Sequence, residues 1–141
     1  MNISLIAVMV VTGLVSFKGF DDIYFLRKYE FHIGSIRAGQ QYRMITSAFL
    51  HADVMHLALN MITLFFFGPT VIDDLGVFGF LLVYFGSLIF GSLLTLLLHK
   101  DEYSYRAIGA SGAVVGVLYS AILLHPYREV SLLFIPYGIP G

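Results

Sequence analysis

The chain has no cysteine among its 141 residues. That excludes disulfide frameworks, thiolate zinc sites and cysteine nucleophiles. Charge is almost as scarce: Asp, Glu, Lys and Arg together make 12% of the chain, about half the share of about 25% usual in soluble domains. The net charge is −1, and no basic run offers a footprint for phosphates, so nucleic acid is not an expected partner. Hydrophobic residues make up 58%. So few polar side chains cannot cover a water-facing surface, which points to a multi-pass integral membrane protein of one domain.

A membrane-crossing helix needs about 20 apolar residues to cover about 30 Å of hydrocarbon. The sequence predicts such helices over about 2–17, 51–72, 75–98 and 111–125, with a fifth starting at 130 and cut off by the end of the chain. The fold class is therefore all-α, a polytopic membrane helix bundle occupying 1–141. The first run lacks a basic leader and a small-residue cleavage site, so it reads as a retained helix. Gly68-Pro69 is expected to kink or fray the end of the second run. Small residues recur every four positions at Ser87, Gly91 and Thr95, and again at Gly112, Gly116 and Ser120, a spacing that lets helices pack closely. The connection over 18–50 holds five of the eight Lys and Arg and many aromatics, as befits a segment at the membrane interface.

Polar groups at bilayer depth are costly and call for a reason. His51, His56 and Asn60 form the pattern H-x4-H-x3-N. On a helix, His56 and Asn60 share one face, while His51 belongs to the entry turn. This differs from the zinc pattern of two histidines four apart with a glutamate base, so no metal and no cofactor is expected. A second group is Gly109-Ala110-Ser111-Gly112 at the head of the fourth helix. Ser111 there could be an ordinary helix cap. It could equally be a nucleophile, with flanking glycines admitting a substrate and the helix N-terminus favouring an oxyanion.

In order along the chain, Tyr42-Arg43, His51, His56, Asn60 and Gly109-x-Ser111-Gly112 resemble the rhomboid family of intramembrane serine proteases. The resemblance implies the first four helices of a six-helix core and the start of the fifth, so the bundle is read as C-terminally incomplete. It implies Ser111 as nucleophile, with His56 and Asn60 stabilising the oxyanion beside the Ser111 N–H. Gly109 and Gly112 would shape the loop, and His51 and Arg43 would have structural roles. It places the general-base histidine in a sixth helix that these residues do not include, so the 141-residue chain alone is expected not to cleave. Substrates would be single-pass membrane proteins in the lipid bilayer, and the location the plasma (inner) membrane. The alternatives are a catalytically inactive rhomboid-like protein that binds transmembrane segments and, in another class, a small transporter with the histidines lining a polar path. The Lys/Arg balance alone would put the first connection in the cytoplasm, whereas the resemblance puts it, with Ser111, outside.

Overall fold

A computed structural model describes residues 2–127; the fifth helix expected from 130 lies outside them. Helix α1 (Ile3–Asp21) starts where the Asn2 side chain accepts the Ser4 N–H. It continues past the expected end at Phe17 because Lys18 sits favourably in the last turn and pairs with Asp22 at 3.4 Å. Asp22 then caps α2 (Ile23–Tyr29), accepting the N–H groups of Tyr24 and Phe25. The rest of the first connection folds as strand β1 (Phe31–His32), helices α3 (Ile33–Arg37) and α4 (Arg43–Thr46), and a 3-10 turn at Ser47–Phe49.

Helix α5 (Val54–His99) is two helices joined at Gly76, whose φ of 77° and ψ of 175° reverse the chain. Only glycine adopts such a conformation at low cost. The halves, 54–75 and 77–99, are each about 33–35 Å long at 1.5 Å per residue, enough to cross a bilayer. The first half begins at Val54, not at 51, because the Asp53 side chain caps it by accepting the His56 N–H at 2.8 Å. Pro69 does not fray the helix: the helical run passes through it to Gly76. Without water to satisfy freed backbone groups, breaking a helix at bilayer depth exposes more than the one bond proline removes. Gly68 serves packing instead: a Cβ there would lie 2.9 Å from Leu5 Cδ1 of α1. After a polar connection containing strand β2 (Arg106–Ala107), helix α6 (Ser111–Leu124) closes the described bundle.

One apolar core joins the helices. Leu5 and Val8 of α1, Leu64, Phe67, Val71, Phe80, Tyr84 and Leu88 of α5, and Ala113, Val117 and Ala121 of α6 are buried together. The outward faces carry exposed apolar side chains such as Leu14, Leu59, Phe66, Leu82, Phe90 and Leu123, as suits a protein solvated by lipid. Polar side chains on the helices bond back to their own turns, as Thr12 does to the Val8 carbonyl and Thr95 to the Gly91 carbonyl.

The pairing of β1 with β2 is a feature the sequence did not announce. Phe31 pairs with Ala107 and His32 with Arg106, antiparallel. The Ile33 and Gly34 N–H groups extend the contact to the Tyr105 and Tyr103 carbonyls. Glu30, buried, accepts from Arg27 at 3.1 Å and also pairs with Arg106. The connection after α1 is thereby stitched to the connection that leads into Ser111, and both lie at the same end of the bundle.

Candidate active site

Ser111 is the first residue of α6, and Ala110 is the cap residue, with no side chain capping the helix end. The ordinary-cap reading of Ser111 therefore does not describe this geometry. The first N–H groups of a helix, here those of Ser111, Gly112 and Ala113, have no intrahelical partners. The Ser111 hydroxyl is exposed and makes no hydrogen bond among the described residues. Beside it lies a cavity of about 220 Å³ lined in part by Gly109, Ser111, Gly112, Leu88, Ser92 and Thr95.

The loop before Ser111 is held from three directions. Gly109 adopts φ 122°, which a residue with a side chain rarely does, and its N–H donates to the Ser47 carbonyl at 3.0 Å. A Cβ on Gly109 would lie 2.8 Å from His56 Cε1, so the imidazole lies directly against the glycine. Gly112 differs: its φ is not positive, and a Cβ would meet only the Ser87 carbonyl oxygen at 3.9 Å.

His51 sits at the centre of a buried network. Its Nε2 accepts the Ala110 N–H at 3.3 Å and faces Asn60 Nδ2 at 2.9 Å, while its Nδ1 faces Ser16 Oγ at 2.9 Å. A backbone N–H can only donate, so Nε2 is the acceptor and Nδ1 carries the proton. Ser16 Oγ therefore accepts from Nδ1 and gives its own proton to the Phe49 carbonyl at 2.7 Å. His51 lies in the connection before α5, where burial, with a smaller effect of His56, pushes its pKa down to about 4. It is neutral at ordinary pH, as this network requires. Asn60 spends one Nδ2 proton on His51 and keeps the second.

His56 is half-buried and lies edge-on to His51, with ring centroids 4.9 Å apart. Its imidazole makes no hydrogen bond among the described residues. The structure thus brings His51, His56, Asn60, Gly109 and the start of α6 together; His56 and Asn60 do not line the cavity beside Ser111 but approach through Gly109 and the Asn60–His51–Ala110 bonds.

Arg43 stands apart from these groups. It is buried in the first connection, donating through Nε to Gln40 and through Nη1 to the carbonyls of Arg27 (2.8 Å) and Glu30 (3.0 Å) at the end of α2. A cation at a helix C-terminus satisfies carbonyls that have no partner within the helix. The sequence reading missed Ser16, Ser47 and the Glu30–Arg106 pair. A signal existed for Ser16: with Thr12, four residues before it, it forms a polar stripe on an otherwise apolar helix. Both are fully buried.

The Rhomboid domain family model matches residues 38–139. Relatives include RHOMBOID-like protein 12, mitochondrial, of Arabidopsis thaliana, 29% identical over 138 residues covering 86% of this chain and 41% of that protein. Rhomboid protein 1, mitochondrial, of Saccharomyces cerevisiae is 37% identical over 70% of this chain and 29% of its own length. Rhomboid-like protease 3 of Toxoplasma gondii is 35% identical over 56% of this chain and 29% of its own length. The chain thus spans less than half the length of these curated relatives. With a family match over most of its residues and a helical, membrane-suited fold, the chain belongs to the rhomboid family of integral membrane proteins.

Proposed function

We propose that the chain carries the nucleophile and the oxyanion-stabilising groups of an intramembrane serine endopeptidase. The observation that supports this most is Ser111 itself, a free hydroxyl on an uncapped helix N-terminus beside a cavity. Gly109 presses the preceding loop against His56. In this reading Ser111 Oγ attacks a peptide carbonyl of a transmembrane segment. The developing oxyanion is met by the Ser111 N–H, by a His56 ring N–H and by the second Nδ2 proton of Asn60. Preorganised neutral donors of this kind are each worth roughly 10²–10³ in rate.

Serine needs an adjacent base to take its proton. None of the five histidines, all among the described residues, bonds to Ser111: His51 is spent in its network, His32 bonds Ser35, His99 bonds Glu102 and His125 bonds Asp74, while His56 faces Gly109. The reading therefore takes the base from outside these 141 residues, and substrates to be single-pass membrane proteins in the bilayer. No particular membrane is favoured: the relatives' names place several of them in mitochondria and one in a chloroplast, which lends nothing to the plasma-membrane expectation. The same lack of a partnered base favours, as second reading, an inactive rhomboid-like protein that binds transmembrane segments.

A fluorophosphonate probe separates the two. The full-length protein is expected to label at Ser111 and the Ser111→Ala variant not at all, while the isolated 141 residues stay unlabelled. An unlabelled full-length protein would support the second reading. Labelling of the isolated chain would refute the assignment of the base.

A further inference from the structure

Ser16 is fully buried in α1, far in chain order from the motifs that carry the family resemblance, yet in space it touches the ring at their centre.

 The separation is one of chain order alone: Ser16 and His51 are 35 positions apart, yet Ser16 Oγ and His51 Nδ1 are 2.9 Å apart. A buried hydroxyl is expected to satisfy both its proton and a lone pair. Ser16 does so by donating to the Phe49 carbonyl and accepting from His51.

We propose that Ser16 is a positioning residue for the Ser111 site. By accepting the Nδ1 proton it fixes the plane of the His51 ring, and so aims Nε2 at the Ala110 N–H and the Asn60 amide. The chain of bonds is continuous: Phe49 carbonyl, Ser16 hydroxyl, His51 ring, then Asn60 on one branch and Ala110 on the other. Ala110 is the residue immediately before Ser111, and Asn60 is the proposed oxyanion donor. Helix α1 carries none of the motif residues, yet through this one hydroxyl it sets the orientation of both groups. Removing the hydroxyl leaves a buried Nδ1–H without an acceptor, and the ring is then held from one edge only.

The positional claim stands on the hydrogen bonds; its consequence for Ser111 rests on the protease reading, and the experiment separates the two. Amide hydrogen exchange and the His51 Nδ1–H resonance are followed by NMR in the full-length protein in micelles, as wild type, Ser16→Ala and Ser16→Thr. In Ser16→Ala the Nδ1–H resonance should shift or exchange away, and the Ala110 amide should exchange about tenfold faster. Val117 and Ala121, in the core of α6, should keep their protection. Ser16→Thr retains a hydroxyl and should restore both signals. Wild-type protection of Ala110 in Ser16→Ala would overturn the proposal, as would a uniform loss across α6, which marks a merely structural role. Fluorophosphonate labelling of Ser111 should slow about fivefold to tenfold in Ser16→Ala and recover in Ser16→Thr. If wild-type Ser111 never labels while Ala110 still responds to Ser16, the protease reading fails and the positioning role stands.

Discussion

Replacing Gly116 by alanine puts a methyl group where the structure has no room for one. Its Cβ would lie 2.0 Å from Ser87 Oγ and 2.6 Å from Ser87 Cβ. The hydroxyl can rotate away, but Ser87 Cβ is fixed to the backbone of α5. Restoring an ordinary carbon–carbon contact requires α5 and α6 to part by roughly 1 Å. Overpacking of this kind costs about 1–3 kcal/mol, offset by up to about 1 kcal/mol because alanine is the better helix former. A net loss of about 1–2 kcal/mol is expected. Ser87→Gly removes the obstructing Cβ and by itself costs about 0.5 kcal/mol through glycine's backbone freedom. The double variant should then be more stable than the sum of the singles by at least 1 kcal/mol. Reversible unfolding of the full-length protein in mixed micelles, run as a double-mutant cycle, measures this coupling. Additivity within about 0.5 kcal/mol would refute the packing argument, because the predicted loss arises at one contact and must vanish with it.

Two further outcomes follow from the site. Gly109→Ala forces a side chain onto φ 122° and against His56; strain of this kind costs about 1–3 kcal/mol, and Ser111 labelling should fall at least tenfold, while Gly112→Ala, with only a 3.9 Å contact, should keep near wild-type stability. Acid should weaken the fold through His51: an unfolded histidine takes up its proton near pH 6.5, whereas folded His51 does so only at about 4, so the stabilisation is complete above pH 6.5, declines as pH falls and is gone below about 4. The span is about 3 kcal/mol. It should be reduced in His51→Asn when stability is measured from pH 7 to pH 4, and an equal slope in both proteins would contradict the network.

Several elements could be read from residues alone because their causes are local. Apolar runs of spanning length announced α1 and the two halves of α5. The small residue at 116 announced a close helix approach, since a missing side chain is visible in sequence even when its neighbour is not. Fraying at Pro69 was not found, since a helix end at bilayer depth would leave backbone groups without water to solvate them. Residues 18–50 read only as a connection, since the short helices within it depend on contacts from elsewhere: Arg43 reaching back to the end of α2, Thr46 to the Tyr29 carbonyl, and Ser92 of α5 to the Met44 carbonyl.

By itself, then, the sequence determined that the chain lives in a bilayer, where its long apolar helices fall among the described residues, and which histidine, asparagine and serine motifs it carries, because hydrophobic length and residue chemistry are properties of short segments. The tertiary structure decided how those residues meet. It set the pairing of β1 with β2, the contact of Gly109 with His56, and the use of Ser16 and the Ala110 N–H as partners of His51. These are relations between residues tens of positions apart, and only packing brings them within hydrogen-bond range.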